Sequence, residues 1–195
     1  MDFILATKNP KKLKEMQRIL MPLGISVKCE ADFDFPFDEV EENGTTFEEN
    51  ALLKARSASL QSGLPAISDD SGLCVDAIDG EPGVYSARYS DEGTDEANNI
   101  KLLSKLNDVE EDMRTARFVC SVCCYFSEDN YFFVNGKCEG KIAREAHGNG
   151  GFGYDPLFIV GDLSFAEMTA EQKDECSHRG EAMRLLYDKL KEVLK

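Results

Sequence analysis

An α/β fold with a mixed sheet is predicted by three observations. Short extended apolar runs alternate with segments whose apolar residues recur at helical spacing. Helix starts are marked by Asn9-Pro10, by Thr46 with Glu49, and by Thr94 with Asp95 and Glu96. Two long extended stretches, 117–126 and 131–145, follow one another as a hairpin, which brings antiparallel pairing into the sheet.

In chain order, Phe3 to Thr7 reads as a short buried strand. Pro10 occupies the first helical position after Asn9, Leu13, Met16 and Leu20 carry the helix, and Gly24 stops it. Ile25 to Cys29 is a second strand, and the acidic, Phe-punctuated stretch from Glu30 to Gly44 a loop. Thr46 and Glu49 form a capping box for a helix through about Gln61, closed by Gly63. Pro65 to Ser68 is a strand running into a tight turn at Asp69-Asp70-Ser71-Gly72, after which Leu73 to Val75 is extended again. Thr94 opens a helix carried by Ile100, Leu103 and Leu106. The hairpin follows, then a Gly-rich loop from Gly148 to Asp155, a strand from Pro156 to Val160, and an amphipathic helix from Glu181 to Leu194.

Composition narrows the function classes. The chain's 195 residues suffice for one domain, with room for two lobes. With 22 Lys plus Arg against 37 Asp plus Glu, the net charge of −15 argues against nucleic-acid binding, which needs basic residues to displace counterions. No apolar run approaches the roughly 20 residues needed to span a bilayer, and no basic leader precedes the first strand, so a cytoplasmic protein without membrane contact is expected. Seven cysteines fit that compartment better than a disulfide framework. Cys120 and Cys123 have C-x-x-C spacing, but on a strand they point to opposite faces, so they read as small packed hydrophobes rather than metal ligands.

Four segments carry chemistry. Thr7-Lys8-Asn9-Pro10-Lys11-Lys12 sits where a strand turns into a helix, whose free N–H groups attract anions. Lys11 and Lys12 oppose the helix dipole there, which fits a bound polyanion, against the alternative of a solvated basic turn, and predicts that the free protein tolerates loss of Lys12. Asp69 and Asp70 lie at a strand end and offer carboxylates for Mg2+ or for proton transfer from water, against the alternative of Asx turns. The loop 148–156 has four glycines in six residues and presents Phe152 to stack on a base, or else tucks it into the core. Lys173, His178 and Arg179 supply donors near a last helix that would begin after them.

Together these segments resemble the inosine/xanthosine triphosphate pyrophosphatase family. The likeness runs in order through Thr7-x-Asn9-x-x-Lys12, Glu42-Asn43-Gly44-Thr45-Thr46-Phe47-x-Glu49-Asn50-Ala51-x-x-Lys54-Ala55, Ser68-Asp69-Asp70-Ser71-Gly72-Leu73, Pro82-Gly83-Val84-Tyr85-Ser86-Ala87-Arg88-Tyr89, Gly151-Phe152-Gly153-Tyr154-Asp155-Pro156 and Ser177-His178-Arg179-Gly180. It implies one domain over 1–195, built on an elongated mixed sheet with flanking helices. Two lobes would enclose a central substrate cleft, usually in a homodimer. It implies Mg2+-dependent hydrolysis of ITP, dITP or XTP to the monophosphate and pyrophosphate. Thr7, Lys8, Asn9, Pro10, Lys11, Lys12 and Lys54 would hold the triphosphate, and Ser71 would touch substrate. Asp70 would be the catalytic base and, with Glu41, a metal ligand, with Asp69 close by. Phe152, Gly153, Tyr154, Asp155, Lys173, His178 and Arg179 would enclose the base. Asn43 departs from the family, whose members commonly carry a small residue or Thr there, so the choice between Glu41 and Glu42 stays open. A pyrophosphatase for other nucleotides, or a nucleotide-binding regulator without turnover, are the alternative readings.

Overall fold

The computed structural model describes residues 2–194. Its elements are β1 (Asp2–Leu5), α1 (Pro10–Leu20), β2 (Ser26–Lys28), α2 (Phe47–Ser62), β3 (Ala66–Val75), α3 (Asp95–Lys105), β4 (Thr115–Ser127), β5 (Asn130–Ile142), β6 (Phe158–Val160), β7 (Leu163–Ser164), α4 (Ala170–Cys176) and α5 (His178–Val193). The strands form one sheet in the order β2-β1-β3-β4-β5-β6-β7. β1 runs parallel to β2 and β3, while β5, β6 and β7 pair antiparallel, so the sheet is mixed as expected.

The local signals explain most of the helices. Asn9 caps α1, Thr46 and Glu49 form the capping box of α2, and Thr94 caps α3. The extended stretches at 117–126 and 131–145 become β4 and β5, although β5 ends at Ile142. Arg117 bonds Glu139 and Ser121 bonds Asn135 across the pair, the register of an antiparallel hairpin.

Four expectations are corrected. β3 is one continuous strand of 10 residues, so Asp69 and Asp70 lie in its middle and not in a turn. Turn-forming residues stay extended there because neighbouring elements satisfy their side chains. The buried face of α3 holds Asn98 and Leu102, whereas Ile100 is 63% exposed. Asn98 faces inward to bond the backbone of Ser86 and Ala87, and that turns Ile100 outward. The short helix α4 is additional to the predicted elements, with Thr169 and Gln172 forming its capping box. Finally, α5 starts at His178, so His178 and Arg179 belong to its first turn.

The chain divides into two compact units. The first takes in the chain up to Asp70, Cys120–Gly136, and from Arg179 onward; the second comprises Ser71–Val119 and Lys137–His178. In the first unit, alternation along the strands builds two cores. Phe3, Leu5, Ile67, Cys120, Val122 and Cys124 pack with residues of α1 and α5, while Ile4, Ala66, Cys123 and Tyr125 pack with Ala51, Ala55 and Ala58 of α2. Cys120 and Cys123 therefore do face opposite ways. None of the seven cysteines is in a disulfide, and burial pushes the Cys123 thiol up to about 12, far from a metal-binding thiolate. In the second unit, Leu73, Leu102, Phe118, Phe158 and Phe165 belong to one core cluster. No helix among the described residues is long and apolar enough to cross a membrane.

Candidate active site

The first unit builds its site on β3, which carries two adjacent buried carboxylates. Successive strand residues point to opposite faces, so Asp69 and Asp70 serve different neighbours. Asp70 looks toward α2. Its Oδ1 accepts from Lys54 Nζ at 3.1 Å and its Oδ2 from Asn50 Nδ2 at 3.2 Å. Asn50 and Lys54 are one turn apart on α2, hence on one side of that helix. Ala51, Ala55 and Ala58 carry no long side chain, which lets the helix pack near the strand with these groups in reach.

The acidic loop before α2 is tied to the same place. Lys54 Nζ also reaches Glu42 Oε2 at 3.2 Å. Gly44 donates its N–H to Asn50 Oδ1 at 2.8 Å, and a Cβ at Gly44 would lie only 2.7 Å from that oxygen and from Glu49 Cβ. Only glycine lets the loop come this close. Glu42 and Asp70 thus converge on one ammonium group. Glu41, expected as the metal ligand, is exposed, and Glu42 is the glutamate that arrives, because the Gly44 contact fixes where the loop docks.

Burial pushes the Asp70 carboxyl up; Lys54 and Lys12 pull it back and Glu42 raises it further, leaving it above the usual carboxylate range. Burial opposes the Lys54 charge, but Asp70, Asp69 and Glu42 together hold its pKa above the ordinary value. A carboxylate of raised basicity beside two lysines suits proton acceptance next to an anion.

Asp69 looks the other way, toward α1 and α5. Its Oδ2 lies 3.1 Å from Lys12 Nζ and 3.2 Å from Arg179 NH2, while Arg179 NH1 bonds Glu15. Burial opposes the Arg179 charge, yet Asp69 and Glu15 hold its pKa above the usual guanidinium range. Two expectations change here. The charge of Lys12 is offset by Asp69, without a polyanion. The start of α1 also lacks free N–H groups. Asn9 accepts from the three residues of the first turn that carry an N–H: its Oδ1 takes the Lys11 and Lys12 N–H, and its carbonyl takes that of Leu13. The Asn9 N–H goes to Thr7 Oγ1, and Pro10 has none. Lys8 and Lys11 remain exposed as cationic side chains. Lys12→Ala is therefore expected to destabilise the free chain by about 1.5–3 kcal/mol, since it removes a charged hydrogen bond from a buried carboxylate. Thermal melts check this; an unchanged melting temperature would restore the tolerant reading.

The second unit carries the other cluster. Lys173 Nζ lies 2.7 Å from Asp155 Oδ2, with side chains 8% and 4% exposed. The same ammonium sits 4.8 Å from the centre of the Phe152 ring and 5.5 Å from that of Phe165. Asp155 Oδ2 also accepts the Phe152 N–H at 2.8 Å. A Cβ at Gly151 would stand 2.0 Å from that oxygen, so the close approach demands glycine. Phe152 is half-buried, between the presented and the tucked-in expectation. Tyr154 is buried with its hydroxyl donating to the Ser86 carbonyl at 2.9 Å. His178 stacks on Phe118 at 4.6 Å and 10°. Arg179, expected beside the base, belongs to the first unit, where its terminal nitrogens bond Glu15 and Asp69. Ser71 follows Asp70 in β3 and is partly buried.

The sequence profile of the Ham1 family matches residues 3–189. The chain belongs to the Ham1 family. This Ham1 chain is 48% identical to the dITP/XTP pyrophosphatase of Thioalkalivibrio sulfidiphilus, over 97% of its own length and 98% of the relative's. It is 50% identical to the dITP/XTP pyrophosphatase of Geobacter sulfurreducens, covering 96% and 95% of the two chains. Among solved structures, a HAM1 protein from Coxiella burnetii superposes with a TM-score of 0.88 at 40% identity, over 98% and 99% of the two chains. The resemblance read from the motifs and the α/β mixed sheet both hold. Asn50 and Glu15 are the site residues that motif reading left without a role; the spacing of Asn50 to Lys54 on one helix side was the available signal.

Proposed function

We propose that this chain hydrolyses non-canonical purine nucleoside triphosphates, namely ITP, dITP and XTP, to the monophosphate and pyrophosphate. The observation that carries the reading is the meeting of Asp70 and Glu42 at Lys54, in a chain similar to proteins named dITP/XTP pyrophosphatase. Asp70 takes a proton from the attacking water, whose oxygen bonds the α-phosphorus as the bond to the bridging oxygen breaks and pyrophosphate leaves. Thr7, Lys8, Lys11, Lys12 and Lys54 offset the charge that moves onto phosphate oxygens.

Mg2+ fits the donor set. Glu42 and Asp70 are hard oxygen donors already converging on one cationic group, and Mg2+ commonly takes one or two protein carboxylates and completes its shell with water and phosphate. When bound it would withdraw charge from the phosphates. The base end belongs to Phe152, which stacks, and to Lys173 and His178, whose donors find an acceptor in a 6-oxo group and none in a 6-amino group. As part of the same reading we infer a homodimer working on the cytosolic nucleotide pool; the family likeness supports the former, and seven cysteines outside disulfides the latter.

The test is the product released from ITP and XTP, with ATP as control, in Mg2+ and in chelator. Pyrophosphate from ITP and XTP, little from ATP, and none in chelator is expected. Orthophosphate as product, or equal turnover of ATP, would overturn the assignment.

A further inference from the structure

One residue of the Gly-rich loop is gripped from outside it. Gly153 donates its N–H to Asp95 Oδ2 at 2.8 Å, and its carbonyl accepts from Asn99 Nδ2 at 2.9 Å. Asp95 and Asn99 are four residues apart at the start of α3, so both reach the same side of the helix. Both backbone groups of Gly153 are therefore held by one helical turn. On one side of it stands Phe152, with its own N–H held by Asp155; on the other stands Tyr154, anchored to Ser86. Neither Asp95 nor Asn99 lies in any of the six segments that carry the family likeness.

We propose that Asp95 and Asn99 are positioning residues for base recognition, fixing the Gly153 peptide and through it the Phe152 ring. This rests on the reading that Phe152 stacks on the purine. A ring on a glycine-rich loop would otherwise be ordered at the moment of binding, at a cost in affinity; a loop held beforehand avoids it. The pair acts on binding and not on the bond being broken, so its signature is in KM.

The variants separate this role from a merely structural one. Asn99→Asp keeps the shape but turns a donor into an acceptor facing the Gly153 carbonyl, and Asp95→Ala removes the acceptor at the other end. Each is expected to raise KM for ITP and XTP about five- to tenfold with kcat within about twofold, the scale of one side chain's ordering cost. Asp95→Asn retains an acceptor oxygen and is expected to stay near wild type. In a Phe152→Ala background, Asn99→Asp should raise KM no further, because the group it positions is gone. Unchanged KM in both Asn99→Asp and Asp95→Ala, or an equal rise with and without Phe152, overturns the positioning role while leaving the pyrophosphatase reading intact. If Phe152→Ala itself leaves KM untouched, the stacking assignment falls and the positioning role falls with it. Failure of the wild-type chain to release pyrophosphate from ITP would instead strike the underlying reading.

Discussion

Asp70→Asn is expected to lower turnover of ITP by at least about a hundredfold, the usual scale of a lost general base, while leaving the chain folded. The same change should make the metal-free protein more stable at neutral pH. The Asp70 carboxyl is held above its ordinary value, so the folded chain keeps a proton there that the unfolded chain has already released. Ionisation then costs stability as pH rises from the ordinary carboxylate pKa through the raised one, and above that window the cost is complete. A neutral asparagine escapes it. Its carbonyl oxygen can still accept from Asn50, and Lys54 keeps Glu42. Melts in chelator at pH 3 and pH 7 should show the variant's advantage only at the higher pH. Near-normal turnover would remove Asp70 from the chemistry, and a lower melting temperature at pH 7 would refute the raised pKa.

Asp155→Ala should be the most damaging change to the second unit. Lys173 and Asp155 are both almost fully buried, and removing one partner strands the other's charge. Such breaks cost about 3–5 kcal/mol, a large share of the roughly 5–15 kcal/mol that holds a domain together. The Phe152 N–H loses its acceptor in the same stroke. A substantial fall in denaturation midpoint is expected, together with a raised KM for ITP. Adding Lys173→Met removes the stranded charge and should return much of the stability, but not the affinity, because the donor is also gone. Equal instability of the single and double variants would show that the charge is not the cause.

The parts of this structure legible in the sequence were those with local causes. Asn9, Thr46 and Thr94 cap their helices through groups two or three residues away, so a short window holds all the information. β3 departs from the expected turn although Asp69-Asp70-Ser71-Gly72 has the composition of one. Lys12, Arg179, Lys54 and Asn50 hold it extended, and Arg179 lies 110 residues from Asp69 along the chain. The arrival of Glu42 in place of Glu41 likewise hangs on Gly44 meeting Asn50, a contact between a loop and a helix face. The capping box at Thr169 was local and readable, and finding it would have placed α4 and moved the start of α5 closer to His178. Motifs mark the candidate site residues; what motifs do not carry is which of them touch.

The two carboxylates of β3 make the length of that strand a fixed quantity. Adding or removing a single residue between Ala66 and Asp69 would swing every side chain beyond it through half a turn. Asp70 would then confront Lys12 and Arg179, and Asp69 would meet Lys54 and Asn50. Both clusters would still have a carboxylate, yet each would sit one residue's rise, about 3.3 Å, out of place. Such a protein could keep its charges balanced and still lose its chemistry. A substitution along Ala66–Val75 disturbs the contacts of one side chain, whereas a change in residue count there displaces all that follow. The 30–44 loop has no ladder register to keep and is held at separate points, Phe33 and Phe37 against the α2-side core, Asp38 on Gln61 and Gly44 on Asn50, so length between those points has more latitude.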